Sequence, residues 1–79
     1  MKIRVRYFAL MRDAAGMASE DIEGDFATAG DLWTHLAERH RFQLPVTALR
    51  VSVNAAYVPF VALLHEGDEV AFIPPVSGG

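Results

Sequence analysis

The chain has 79 residues, of which 52% are hydrophobic and 22% are charged, so it can fold as one small domain with a hydrophobic core. Seven basic and ten acidic side chains give a net charge of −3, which disfavours binding to a nucleic-acid backbone. The absence of cysteine excludes disulfides, thiolate metal sites and cysteine nucleophiles. A domain this small has little room for a deep cavity, so the composition favours a carrier, a binding module or a subunit over a self-sufficient enzyme.

No segment resembles a targeting signal or a membrane span. Charged and hydrophobic residues alternate near the start of the chain, unlike the apolar run of a signal peptide. The longest apolar stretch, residues 57–64, contains a proline and is far shorter than the roughly 20 residues that a membrane helix needs. We therefore expect a cytoplasmic protein without a membrane partner.

The first third of the chain predicts two strands joined by a short helix. Residues 2–8 begin as a strict alternation of basic and hydrophobic side chains, which is typical of a half-buried strand. Residues 9–15 favour a helical turn, and Gly16 provides its C-terminal stop. A weaker strand is predicted at residues 18–23.

The middle of the chain predicts one sizeable helix. Thr28 can cap its N-terminus, and Asp31 falls in the positive first turn. Hydrophobic residues then recur at helical spacing, which indicates a helix with one buried face. Pro45 forbids its continuation, so we expect the helix to end near His40 or Arg41.

The remaining sequence predicts three strands, at residues 49–53, 56–58 and 69–73, separated by turns at residues 54–55 and 66–68. One helix must cover one face of the resulting mixed sheet, so the other face stays open to water or to a partner. The two periodicities place these residues in the core: Ile3, Val5, Tyr7, Leu32, Leu36, Val51, Val53, Val70 and Phe72.

The titratable residues do not predict a metal or catalytic site. His35 and His40 do not have the i,i+4 spacing that would put them on one helical face, and His65 is remote in sequence. We interpret the histidines as solvated surface residues. The acidic residues within 20–25 and 66–69 are interpreted as turn-forming and solubilising. One functional alternative is kept, for Glu66, Asp68 and Glu69, which is contact with the basic surface of a partner.

The open face of the predicted sheet is the candidate docking surface. Because Tyr7 and Phe72 point into the core, alternation directs Phe8 and Ile73 outward, where they would form an apolar patch for a partner. Three arginines on the same face would form its polar rim: Arg4, Arg6 and Arg50. The alternative is that the two hydrophobic residues merely lie at the edge of the core.

The C-terminus differs in kind from the rest of the chain. Residues 74–79 are predicted to form an extended arm on a single domain that spans residues 1–79. A Gly-Gly arm without side chains can enter a narrow channel, and its terminal carbonyl is open to attack. The predicted arm consists of Pro74, Pro75, Val76, Ser77, Gly78 and Gly79.

Two segments resemble a known family, the small subunit of molybdopterin synthase. Residues 67–79, GDEVAFIPPVSGG, look like its C-terminal signature, and residues 5–13, VRYFALMRD, are similar to its first strand and short helix. The resemblance implies an α+β, ubiquitin-like β-grasp fold. In that fold a mixed sheet of about five strands is covered on one face by one main helix and followed by a flexible Gly-Gly arm.

The resemblance also implies a sulfur-carrier cycle. An adenylyltransferase that resembles ubiquitin-activating enzymes would use ATP and magnesium to adenylate the Gly79 carboxylate, and a sulfur donor protein would convert it to a thiocarboxylate. The large synthase subunit would then receive the arm, and sulfur would pass to cyclic pyranopterin monophosphate to form the molybdopterin dithiolene. The small subunit would bind no metal or cofactor, and the catalytic residues would lie on the large subunit of a heterotetramer.

Three alternative functions stay open. A sulfur carrier for thiamine synthesis shares the fold and the terminal Gly-Gly but not the Pro-Pro-Val-Ser that precedes it here. A ubiquitin-like modifier would be joined to lysines of other proteins. A β-grasp RNA-binding module would use Arg4, Arg6 and Arg50, but such sheets need several aromatic platforms, and the sequence places only Phe8 clearly on the open face.

Overall fold

The computed structural model describes residues 1–75. It has the predicted α+β composition, and every predicted helix and strand is present within one or two residues. The sequence pattern did not predict the short 3₁₀ helix at Val46–Ala48. The elements in chain order are β1 (Lys2–Tyr7), α1 (Ala9–Ala15), β2 (Ser19–Glu23), α2 (Ala29–His40), the 3₁₀ helix, β3 (Arg50–Val53), β4 (Ala56–Val58) and β5 (Glu69–Ile73).

The strands form a mixed five-stranded sheet in the order β2-β1-β5-β3-β4. The central pair, β1 and β5, is parallel, with Tyr7 opposite Phe72. The other pairs are antiparallel, and in one of them Arg50 lies opposite Ile73. Because β1 and β5 run in the same direction, the segments that follow them leave the sheet at the same edge. Phe8 and Pro74 therefore emerge side by side.

Local sequence determines where helix α2 begins and ends. The Thr28 hydroxyl accepts a hydrogen bond from the Asp31 amide at 3.1 Å, and the Asp31 carboxylate accepts one from the Thr28 amide at 3.2 Å. This capping box satisfies amides that the first helical turn leaves without partners. After His40 the helix ends at Arg41, whose φ of 58° is left-handed. Both ends agree with the sequence prediction.

The core lies between α2 and one face of the sheet. All predicted core residues are buried except Val53, which is half-buried and packs against the core. Strand β2, the helices and the loops add further buried hydrophobic residues: Met11, Ile22, Phe26, Ala29, Trp33, Leu49 and Leu64. In the part of the chain that the structure describes, no helix covers the opposite face of the sheet, as predicted. None of the helices within residues 1–75 has the length and hydrophobicity of a membrane span.

Asp68 is buried, so the prediction of a solvated residue available to a basic partner is wrong for this carboxylate. It accepts hydrogen bonds from the Asn54 side chain at 2.9 Å and from the His65 amide at 2.8 Å. Asn54 and Ala55 form the β3–β4 turn with φ of 52° and 72°. Asn54 also accepts a hydrogen bond from the Glu69 amide at 3.0 Å. Asp68 therefore ties two loops together.

The prediction of solvated histidines is wrong for His40, whose side chain is only 10% exposed. Its Nε2 lies 2.6 Å from the carboxylate of Glu20, which also accepts a hydrogen bond from the Tyr7 hydroxyl. The Arg39 guanidinium lies 3.6 Å from the other Glu20 oxygen. We call these four residues the Glu20 cluster. It joins β1, β2 and the last turn of α2, a contact that the helix pattern alone could not predict.

Burial and hydrogen bonding set the ionisation of this cluster. Burial raises the pKa of Tyr7, and the hydrogen bond to Glu20 raises it further. Burial also acts to raise the pKa of Glu20. The hydrogen bonds from Tyr7 and His40, together with the electrostatic attraction of His40 and Arg39, outweigh that effect, so the pKa lies below its ordinary value. Glu20 is therefore held as a carboxylate. Within residues 1–75, no three acidic or histidine side chains are arranged to hold a metal ion.

Candidate partner-docking site

Phe8 and Ile73 meet at the sheet edge from which the C-terminal segment emerges. Phe8 is 43% exposed, and Ile73 is half-buried. They line one side of the outgoing chain in a groove of about 620 Å³. We call it the Phe8 groove; its lining consists of Phe8, Ala9, Leu10, Asp13, Ile73, Pro74 and Pro75. The predicted pairing of Phe8 with Ile73 near the root of the arm is present in the structure.

The backbone after Phe8 is strained. Ala9 adopts a φ of 50°, a left-handed conformation that costs an L-residue roughly 1–2 kcal/mol. The Phe8 carbonyl accepts a hydrogen bond from the Met11 amide at 3.1 Å, which closes the first turn of α1. This turn redirects the chain immediately after Phe8, whose side chain lines the groove.

A second groove lies on the other side of the outgoing chain, with a volume of about 560 Å³. Arg50 reaches it from β3 and Tyr57 from β4, and the segment Ile73–Pro75 separates it from the Phe8 groove. We call it the Arg50 groove; its lining consists of Thr47, Ala48, Leu49, Arg50, Tyr57, Ile73, Pro74 and Pro75. The root of the arm is thus flanked by a groove on each side.

Tyr57 is an exposed aromatic residue that the sequence interpretation missed. It is 70% exposed and lies opposite Ser52 on the open face. The signal was present in the two-residue turn at Asn54-Ala55, because such a turn fixes the register of the hairpin and hence the face of each side chain. The open face therefore carries two aromatic side chains beside the root of the arm, Phe8 and Tyr57.

The three predicted rim arginines share the open face, but their surroundings differ. Arg4 pairs with Asp21 at 2.8 Å, and its hydrogen bond lowers the pKa of that carboxyl group. Arg6 pairs with Glu69 at 3.3 Å. Among the described residues, no carboxylate lies within ion-pair distance of Arg50. Of the three, Arg50 is therefore the arginine whose charge is not offset by an ion pair within residues 1–75.

The described part of the predicted arm is short. Pro74 is buried and Pro75 is exposed, so the chain leaves the packed body of the domain between these two prolines. Val76, Ser77, Gly78 and Gly79, together with the predicted flexibility of the arm, lie outside the described residues.

One main helix packed across a mixed sheet with a parallel central pair defines the ubiquitin-like β-grasp class. The structure of SAMP1, a small archaeal modifier protein from Haloferax volcanii, matches the chain with a TM-score of 0.82 and 27% identity over 100% of both chains. The chain belongs to the ThiS family, whose model matches residues 5–79.

Curated relatives resemble the chain along its whole length. A protein of Escherichia coli is 39% identical over 98% of this chain and 99% of its own. A protein of Chlamydomonas reinhardtii is 40% identical over 100% of both chains. Both relatives are named molybdopterin synthase sulfur carrier subunit. The family resemblance stated from the sequence motifs is thereby confirmed.

Proposed function

We propose that this protein is the sulfur carrier subunit of molybdopterin synthase, with the Gly79 carboxylate as the group that carries sulfur. The observation that supports this most strongly is the end-to-end similarity to curated relatives of that name. The match to the Chlamydomonas reinhardtii relative includes the terminal Gly-Gly. The two grooves at the root of the arm support it further, because a carrier must present its terminus and its docking surface together.

In this proposal the chemistry takes place on the terminal carboxylate. A carboxylate oxygen of Gly79 attacks the α-phosphate of magnesium-bound ATP in an adenylyltransferase, and pyrophosphate leaves. Hydrosulfide supplied by a donor protein attacks the carbonyl carbon of the acyl adenylate, AMP leaves and a proton is released, so that a thiocarboxylate remains. The arm delivers this sulfur to cyclic pyranopterin monophosphate in the large synthase subunit, and water cleaves the bond between the sulfur and the Gly79 carbonyl, which restores the carboxylate. ATP and magnesium belong to the activating enzyme.

The folded domain contributes recognition to this cycle. The Phe8 groove and the Arg50 groove would seat the large subunit around the arm, with Phe8, Ile73 and Tyr57 as apolar anchors. Arg4 and Arg6, which already form ion pairs within the domain, would lie at the rim of the interface with the large subunit. The acid and base groups of the transfer reaction would be supplied by the partner.

Intact-mass measurement tests the carrier role. The chain is incubated with activating enzyme, magnesium, ATP and a sulfur donor, and the expected product is heavier by the difference between sulfur and oxygen. Adding the large subunit and cyclic pyranopterin monophosphate should then form molybdopterin and restore the original mass. The matched control lacks Gly79. It should melt like the full chain, because the described core lies within residues 1–75, but it should carry no sulfur. An unchanged mass of the full chain in the presence of ATP would contradict the proposal.

A protein-modifier role is the second candidate, because the chain shares its fold and 27% identity with the archaeal modifier SAMP1. A modifier would join its terminal glycine to lysines of other proteins. Immunoblots of cell extract separate the two functions. A modifier gives a series of heavier conjugates that require Gly79, whereas a carrier gives only the free chain and its complexes with partners.

A further inference from the structure

Each groove at the root of the arm contains one charged lining residue, and the two charges are opposite. Asp13 is the charged residue of the Phe8 groove, and Arg50 is the charged residue of the Arg50 groove. Neither has an ion-pair partner among residues 1–75. Both residues are exposed, so both charges are available to a docking protein.

The neighbouring charges on the open face are already paired within the domain. Arg4 with Asp21 and Arg6 with Glu69 form ion pairs farther from the arm. A partner that replaces such a pair must break one interaction to make another, so the gain is small. Asp13 and Arg50 carry no such cost within the described structure. Of these charged residues, Asp13 and Arg50 can therefore contribute most to the binding free energy of a partner.

The positions of these two charges make the docking surface asymmetric about the outgoing chain. Arg50 lies on β3, and Asp13 lies on α1, the helix that follows β1. Strands β3 and β1 lie on either side of β5, so the two residues line grooves on opposite sides of the outgoing chain. A surface with only an apolar patch would tolerate rotation of the partner about the arm. Opposite charges on the two sides of the arm penalise the reversed orientation, because like charges would then face each other.

We propose that Asp13 and Arg50 fix the orientation in which the large synthase subunit docks on this chain. The partner surface places a basic side chain over the Phe8 groove and an acidic side chain over the Arg50 groove. This inference rests on the proposed function for the identity of the partner, and it adds the charge pattern that the partner must present. If the orientation is fixed in this way, the arm enters the partner in a single orientation about its own axis.

The test measures binding of the full chain to the large subunit by calorimetry and stopped-flow mixing. The single reversals Asp13→Arg and Arg50→Asp should each weaken binding about tenfold, mainly through slower association. The double variant D13R/R50D exchanges the two charges and leaves the net charge of the chain unchanged. It should bind more weakly than either single variant. These differences should shrink at 1 M salt, where the screening length is about 3 Å.

Controls separate this effect from folding and from net charge. Glu38→Arg changes the charge by the same amount as D13R, but it lies on an exposed position of α2 on the covered side of the sheet. It should bind like the unaltered chain. Melting curves monitor the fold. Where a charge reversal is unstable, the neutral variants D13N and R50Q replace it and should show smaller losses of binding affinity.

If the charge-exchanged variant binds within twofold of the unaltered chain, the orientation proposal is overturned. If the unaltered chain does not bind the large subunit, that result overturns this proposal together with the proposed function.

Discussion

Phe8 and Ile73 leave two parallel strands at the same edge of the sheet and line one groove beside the C-terminal segment. The parallel pairing of β1 with β5 causes this proximity, because it aligns the end of the first strand with the end of the last. The aromatic ring of Phe8, which immediately precedes the strained turn at Ala9, thus lies beside the outgoing chain. A partner that binds at the root of this segment would contact the exposed ring of Phe8.

The first prediction concerns these two hydrophobic residues. Phe8→Ala and Ile73→Ala should each weaken binding to the large subunit by about 1–3 kcal/mol, because anchors in a small apolar patch contribute much of the affinity of an interface. Calorimetric titration measures the loss, and circular dichroism checks that the fold survives. Leu63→Ala is the matched control, since Leu63 is 66% exposed but lines neither groove. Normal binding by both variants would locate docking elsewhere and leave the arm alone to hold the complex.

The second prediction concerns Tyr57. Because its side chain is 70% exposed, Tyr57→Ala should change the free energy of unfolding by less than about 0.5 kcal/mol. The same change should weaken binding to the large subunit by about 1–2 kcal/mol. Tyr57→Phe keeps the ring and should retain most of the affinity. Equal binding by the alanine variant and the unaltered chain would show that the Arg50 groove lies outside the interface.

Alternation in the sequence was sufficient to predict the faces of β1 and β5, and hence the meeting of Phe8 with Ile73. It was not sufficient for Tyr57, because β4 has only three residues and three residues give no reliable period. The face of Tyr57 follows from the hairpin register, which depends on the left-handed turn at Asn54-Ala55.

The Glu20 cluster illustrates a second limit of prediction from the sequence. His40 lies at the end of the helix pattern, and nothing local indicates that it contacts a carboxylate of β2. The contact depends on where the last turn of α2 comes to rest over the sheet, which is decided by packing of the whole core. The burial of Asp68 could not be predicted for the same reason, because its hydrogen-bond partner Asn54 lies in another turn. Periodicity predicts the face of a residue, but it does not predict the polar partners brought to that face by tertiary packing.

The third prediction tests the helix face in the core. Leu36 is fully buried, so Leu36→Ala should lower the free energy of unfolding by about 2–5 kcal/mol. That loss would be a large share of the stability of so small a domain. Urea denaturation measures it, with Glu38→Ala as a control on the exposed side of the same helix. An unchanged midpoint for the leucine variant would contradict the packing of α2 against the sheet.

The fourth prediction concerns the dependence of stability on pH. Glu20 accepts hydrogen bonds from Tyr7 and His40 and has a pKa below its ordinary value in the folded chain. Its pKa in the unfolded chain is the ordinary value, about 4.3. A group with a lowered folded pKa contributes its stability above the unfolded pKa. That contribution is lost as the pH falls through the unfolded pKa towards the folded one.

Glu20→Gln should therefore cost about 1.5–3 kcal/mol at neutral pH, the range for hydrogen bonds to a charged group. It should also flatten the decline of stability below about pH 4.3. Urea denaturation at a series of pH values measures both effects. Glu23→Gln is the matched control, because Glu23 is exposed on the same strand and forms no side-chain hydrogen bond or ion pair within residues 1–75. It should leave both the stability and its acid slope close to those of the unaltered chain. A Glu20→Gln variant that declined as steeply in acid as the unaltered chain would show that another carboxylate controls the acid transition.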